Sequence, residues 1–330
     1  MRLYLALAFT LAATAAAAGP GGYALVKTLQ IGGDTFWDCL TFDTAGHRLF
    51  IAHGSHVVAV DTDSYRIVGD IPDTPGVHEV ALTPDRGFIT AGGSDSVVTF
   101  DPATLKATGT VAVGKRPDGI LYDETSDRVF TFNAGSRDST VLDARSAAVV
   151  GTVPLGGKPE FAVSDGKGHI FDNIEDTSEL IEIDTRAMRV LHRWKLAPCE
   201  SPSGLAFDPV HARLFAACGN GIMAAIDAKT GAVVATVPTG KGADGAAFDP
   251  RSGDVLIPCG EGHLSVIHED TPDRYTLVEN VPTAFGARTI AFDPATRRVF
   301  TVTADLTPAP GQHPPYKMGP GSFRLLVYGR

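Results

Sequence analysis

Residues 119–154 read GILYDETSDRVFTFNAGSRDSTVLDARSAAVVGTVP, and the punctuation of this stretch decides the fold. A short apolar run, Gly119–Tyr122, ends in the turn DETSD. Val129–Phe132 follows and stops at a second turn, Asn133–Ser136. Ser139–Leu142 is a third run, and Ala148–Val153 is a fourth, leading into a Gly/Pro loop. Short runs of β-branched and aromatic residues bounded by Gly, Asn, Asp and Ser read as strands. Four of them in sequence, joined by tight turns, make one small antiparallel sheet.

The same order recurs along the chain. The apolar residue that closes the first run returns as Phe42, Leu82, Tyr122, Val163, Phe207, Phe248 and Phe292, at spacings of 40–44 residues. An apolar residue followed by Asp closes the third run as Val60-Asp61, Phe100-Asp101, Leu142-Asp143, Ile183-Asp184 and Ile226-Asp227. Ile267-His268 and Val327-Tyr328 continue that series without the Asp. Seven four-stranded units of this period describe an all-β, seven-bladed propeller of antiparallel blades. Residues 25–33, LVKTLQIGG, match the fourth run of other units, such as VVATVPTG at 233–240. The last unit has runs near Arg288–Phe292, Arg298–Val302 and Phe323–Tyr328 but no fourth. The N-terminal strand is therefore expected to complete the last blade and close the ring, which leaves no open sheet edge around it.

These units resemble the YVTN family of bacterial propellers, the YncE-like periplasmic proteins. The matching segments are Val129-Phe-Thr-Phe-Asn133, Ser265-Val-Ile267, Val233-Val-Ala-Thr-Val-Pro-Thr-Gly240 and Leu82-Thr-Pro-Asp-Arg-Gly87. The resemblance covers about residues 25–330 and implies a fold more than a function. The Asn of the family motif stands only at Asn133 and Asn173; His53, Gly92, Cys218, Cys259 and Thr303 take its place in the other units.

Composition agrees with a turn-rich exported domain. The 330 residues include 36 Gly and 22 Pro, more than ordinary chains carry. Residues 1–18, MRLYLALAFTLAATAAAA, have one Arg, an apolar run and small residues, the pattern of a secretory signal peptide cut before Gly19. The expected organisation is a leader over 1–18 and one propeller domain over 19–330, periplasmic or secreted, with no transmembrane segment once the leader is gone. The reading expects a monomer. The net charge of −10 speaks against electrostatic capture of nucleic acid.

An oxidising compartment permits disulfides. Four cysteines, Cys39, Cys199, Cys218 and Cys259, allow three pairings and have no zinc spacing. Cys199 opens the fifth unit and Cys218 ends its second run, so that pair is favoured, with Cys39 and Cys259 left free.

Sites in propellers gather at the mouth of the central channel. The position four residues before the first apolar anchor gives Asp38, His78, Asp118, Pro159, Ser203, Asp244 and Arg288, and the next position adds Cys39, Glu79 and Glu160. A ligand-binding ring of Asp38, His78, Glu79, Asp118, Glu160, Asp244 and Arg288 is expected there, acidic with one basic point. Carboxylates can serve as acid and base, or bind Ca²⁺. His53 and His78 are placed to approach each other, where neutral imidazoles bind Zn²⁺, Cu²⁺ or iron. His56, Glu261 and His263 have the same standing. No cofactor is predicted, and a metal is left open. The 19 residues 304–322, ADLTPAPGQHPPYKMGPGS, form a Pro/Gly loop inserted in the last unit. Its His313, Tyr316 and Lys317 are positioned to cover the mouth.

Two functions follow. The first is a binding or scaffold protein recognising a small molecule, glycan, peptide or protein at the mouth; no GxSxG, HExxH, P-loop or haem motif is present. The second is a propeller enzyme, a lactonase-like hydrolase or quinoprotein-like oxidoreductase, suggested by the mixed acidic, His and Arg ring.

Overall fold

The computed structural model describes residues 22–311 and 315–330. The leader expected over 1–18 lies outside them, as does His313.

Seven four-stranded antiparallel sheets stand in a ring. Blade 1 is typical, with strands Trp37–Asp43, Arg48–His53, His56–Asp61 and Arg66–Ile71 in order from the channel outward. The innermost strands touch in ring order, each against the next, and the seventh against the first. Blade 7 takes its outer strand from the other end of the chain: Ala24–Gln30 pairs antiparallel with Arg324–Gly329, with Thr28 opposite Leu326.

Burial explains the sequence of each strand. The second strands, such as RLFIAH and RVFTFN, are buried from their second residue on because both faces press on neighbouring blades. Fourth strands such as Arg66–Ile71 are mostly exposed. Seven apolar clusters fill the seven gaps between blades. Aromatic pairs bridge several gaps: Phe42 with Phe300 at 5.8 Å, Phe50 with Phe100 at 5.6 Å, and Phe215 with Phe248 at 5.4 Å. Each fully buried aromatic of this kind contributes roughly 3–5 kcal/mol.

The recurring Asp after an apolar residue is a turn device. Asp61, Asp143 and Asp227 accept backbone N–H groups from Ser64, Ser146 and Thr230 at 2.7, 2.8 and 2.9 Å. Asp43 and Asp123, at the ends of innermost strands, cap the next turn in the same way. Such Asx turns satisfy donors that the ladder leaves over.

Cys199 and Cys218 form a disulfide, with sulfurs 2.04 Å apart, and Cys39 and Cys259 are free and buried. Residues 304–322 are not a plain loop. Leu306–Pro308 and Tyr316–Met318 pair as a short hairpin, Leu306 facing Met318. Both of those side chains pack on the apolar cluster between blades 7 and 1, which gives the insertion a partner that its Pro and Gly content does not reveal. Among the described residues, no helix is long and apolar enough to cross a membrane.

Candidate functional site at the channel mouth

The second residue of an innermost strand points into the channel mouth. Asp38 follows Trp37, His78 follows Val77, Asp118 follows Pro117, and Ser203 follows Pro202. Blade 4 needs a one-residue correction. Pro159 pairs with Ile174 as Pro117 pairs with Asn133, so Glu160, not Pro159, is the equivalent of Asp118. The anchor there is Ser164 rather than Val163, and its hydroxyl donates to Asp123 at 2.9 Å. The same shift removes Asn173 from the Asn133 column. Its amide instead donates to the Ser203 carbonyl at 2.9 Å, tying blade 4 to blade 5.

Asp38, His78, Glu79, Asp118, Glu160, Asp244 and Arg288 all line one cavity of about 470 Å³. Lys158 and Glu175 line it too. Sequence reasoning missed both, so the ring has two fixed cations rather than one. Glu175 follows directly on a second strand, the loop class expected at the mouth, and that was its available signal.

The groups fall into three sets. In blades 1–3, His78 Nδ1 lies 2.5 Å from Asp38 Oδ2 and 3.3 Å from Asp118 Oδ1. In blade 4, Lys158 Nζ lies 2.6 Å from Glu160 Oε1 and also pairs with Glu175. In blades 5–7, Ser203 Oγ donates to Asp244 Oδ1 at 2.7 Å, and Arg288 Nε lies 3.2 Å from Asp244 Oδ2. Ser203 Oγ is also 3.3 Å from Glu160 Oε2, which links the last two sets.

Burial and like charge raise three of these carboxyls. Burial, with the Asp118 and Asp38 charges behind it, pushes Glu79 up to about 8, against the Ile120 amide that donates to it at 2.8 Å. Burial also raises Asp118, opposed by His78. Burial and the Asp118 and Asp244 charges raise Glu160. For His78, burial disfavours the charged ring, but the Asp38 hydrogen bond and the Asp118 and Asp38 charges outweigh it and lift the group to about 9. The Asp244 carboxylate holds the Arg288 guanidinium above its ordinary range. Raised by its burial, the Glu79 carboxyl keeps its proton at neutral pH. Behind Glu160, Asp172 is fully buried and raised by that burial. Cys39 is likewise pushed well up by burial and by Asp38, so it stays a thiol and is no ready nucleophile.

The structure does not bring His53 to His78. His53 is buried, bonded to His56 Nε2 at 3.2 Å and to the Thr35 carbonyl at 2.9 Å, and stacked on Phe323 at 4.2 Å. Burial lowers it to about 4. A neutral ring sandwiched in this way belongs to the packing of blade 1. Glu261 accepts from the Lys241 amide at 3.0 Å, and the buried Nε2 of His263 has no partner. Neither lines the mouth cavity.

A second cavity of about 470 Å³ adjoins the mouth at Gly242 and Arg288. It is walled by Phe36, Trp37, Phe285, Leu306 and Tyr316. Tyr316 meets Phe285 edge-on at 5.2 Å. Tyr316 thus lines this flanking cavity and not the mouth cavity itself.

No family model matches the chain, and no curated protein matches it. Solved structures do. A chain of hydrazine synthase from Kuenenia stuttgartiensis superposes with a TM-score of 0.71 at 18% identity, over 83% of this chain and 94% of its own. A chain of a mitotic checkpoint complex gives 0.77 at 15% identity, over 99% of each chain. U3-55K gives 0.75 at 10% identity, over 93% of this chain and 99% of its own. At these identities the likeness is one of fold, and the chain is a seven-bladed β-propeller, an architecture that suits binding.

Proposed function

We propose that this chain is an exported propeller of the YVTN, YncE-like kind that binds a polar ligand at its channel mouth. The supporting observation is convergence: all seven predicted ring residues line one cavity of about 470 Å³. Neutral carboxyls, carboxylates and cations alternate around it, which suits a small molecule, a glycan or a peptide end carrying amines and hydroxyls. The signal-like segment 1–18 supports a periplasmic or secreted location. The net charge of −10 disfavours nucleic acid as the partner.

The test is a thermal-shift screen of amines, sugars and short peptides on the chelator-treated mature protein, followed by calorimetry. A ligand at 100 times its Kd stabilises the fold by about 2.7 kcal/mol. Asp118→Asn and Asp244→Asn should each weaken that ligand at least tenfold. Ligands that bind those variants unchanged would place the site elsewhere.

One observation favours the enzyme reading as a second possibility. Asp38, His78 and Asp118 meet within hydrogen-bond reach, and the adjacent Glu79 carboxyl is raised to about 8, where it can act as an acid near neutral pH. Turnover of lactones or quinone-dependent oxidation of alcohols, abolished in His78→Ala, would support it. No turnover with either class would leave binding alone.

A further inference from the structure

We infer that Asp38, His78 and Asp118 form a site for one borderline divalent cation of the Zn²⁺ or Co²⁺ class, with its open side toward the mouth. The inference rests on the reading of the mouth as a binding site and names its first occupant.

The three side chains come from equivalent positions on three consecutive innermost strands, so the ring geometry itself aims them at one point. One donor atom from each lies within 4.8 Å of the others. A tetrahedral ion with bonds near 2.1 Å spaces its donors by about 3.4 Å. His78 Nδ1 and Asp118 Oδ1 already stand 3.3 Å apart. Asp38 Oδ2 stands on the same ring nitrogen at 2.5 Å, so both carboxylates face Nδ1.

The imidazole is seated for this task. A Cβ on Gly92 would stand 3.0 Å from His78 Cδ2 and Nε2, so the ring lies against bare backbone. That leaves Nδ1 as the nitrogen directed at the two carboxylates. Among the described residues, neither Asp38 nor Asp118 pairs with a Lys or Arg. Lys158 is committed to Glu160 and Glu175, and Arg288 to Asp244. Two carboxylates thus converge on one imidazole with no Lys or Arg between them, and a dication between the three would neutralise both. One nitrogen and two oxygens select a borderline transition ion over Ca²⁺ or Mg²⁺, which prefer all-oxygen cages. Three protein ligands leave a position open to the 470 Å³ cavity, the arrangement of ions that bind a further oxygen ligand.

A second cluster, Asp208, His211 and Glu269, offers an internal control. It stands at the other end of the innermost strand that carries Ser203, where Asp208 caps its turn through the Val210 and His211 amides.

The experiment is calorimetric titration of the chelator-treated mature protein with ZnCl₂ and with CoCl₂. The expected result is one ion per chain. His78→Ala and Asp118→Asn should each weaken it at least tenfold, and His211→Ala should leave it unchanged. Co²⁺ provides an optical readout on Asp118→Asn if His78→Ala fails to fold: the visible band of the parent protein should shift or vanish. No binding at millimolar ion, binding indifferent to both mouth variants, or loss in His211→Ala would overturn the inference. Because the organic-ligand screen runs in chelator, a shift there survives a failed metal titration, and the two readings fail separately.

Discussion

Thr28 lies opposite Leu326 in one antiparallel ladder, although the two come from opposite ends of the chain. Every other blade is sequence-local, so this ladder alone joins the two ends of the chain within one sheet. The same segment adds Tyr23, buried between blades 6 and 7 under the Arg330 guanidinium at 4.4 Å. A mature chain shortened to begin at residue 34 should expose the edge of Arg324–Gly329. Exposed edges recruit other strands. The expected outcome is a melting temperature lowered by more than 5 °C, with dimers or larger species in light scattering. An unchanged monomer with unchanged melting would show that the ring does not depend on this closure.

His78 should titrate near pH 9 in the folded protein. Its folded pKa is raised above the ordinary 6.5, so the charged ring stabilises the fold fully below pH 6.5. That contribution fades as pH rises through about 9. Asp38→Asn removes the main hydrogen-bond partner and should return the His78 titration toward its ordinary range, as read by NMR in the metal-free protein. A His78 midpoint unmoved by Asp38→Asn would contradict the assignment.

His53 should act in the opposite direction. Its folded pKa is held down to about 4 by burial and by His56, so the unfolded chain takes up the proton first. Stability should therefore fall as pH drops from about 6.5 toward 4. Denaturant midpoints measured across that window should show a loss that His53→Gln reduces.

Joining Cys199 to Cys218 closes a loop across a separation of 19 residues within blade 5. Loops of this size cost about 3 kcal/mol of unfolded-state freedom when cross-linked. Cys199→Ser with Cys218→Ser, or full reduction, should destabilise by about 2–4 kcal/mol in chemical unfolding and leave the mouth's ligand affinity intact.

The blade count, the ring closure and the residues of the mouth were readable because they repeat. Apolar anchors and capping Asp residues recur at fixed offsets, so packing writes itself into spacing. What fails to repeat was harder to read. Val163 looks like the blade 4 anchor because it is apolar, yet Ser164 takes the place by bonding to Asp123. Lys158 and Glu175 fell outside the two columns considered, although their ion pair fills the same cavity. His53 and His78 sit on neighbouring blades, but strand direction and the Phe323 ring turn one inward to packing and the other to the channel. The hairpin at 306–318 rests on Leu306 and Met318 meeting a distant core, which no local pattern announces.

The seven mouth positions line one cavity but do not share one residue type: Asp38, His78, Asp118, Glu160, Ser203, Asp244 and Arg288. The side chains that hold the blades together lie elsewhere, in the gaps between sheets. Chemical preference and foldedness are thus written in separate columns of the same repeat. A lineage can respell the ring one character at a time while the apolar gaps between blades stay packed. Relatives of equal shape and different ligand are the expected product of that freedom.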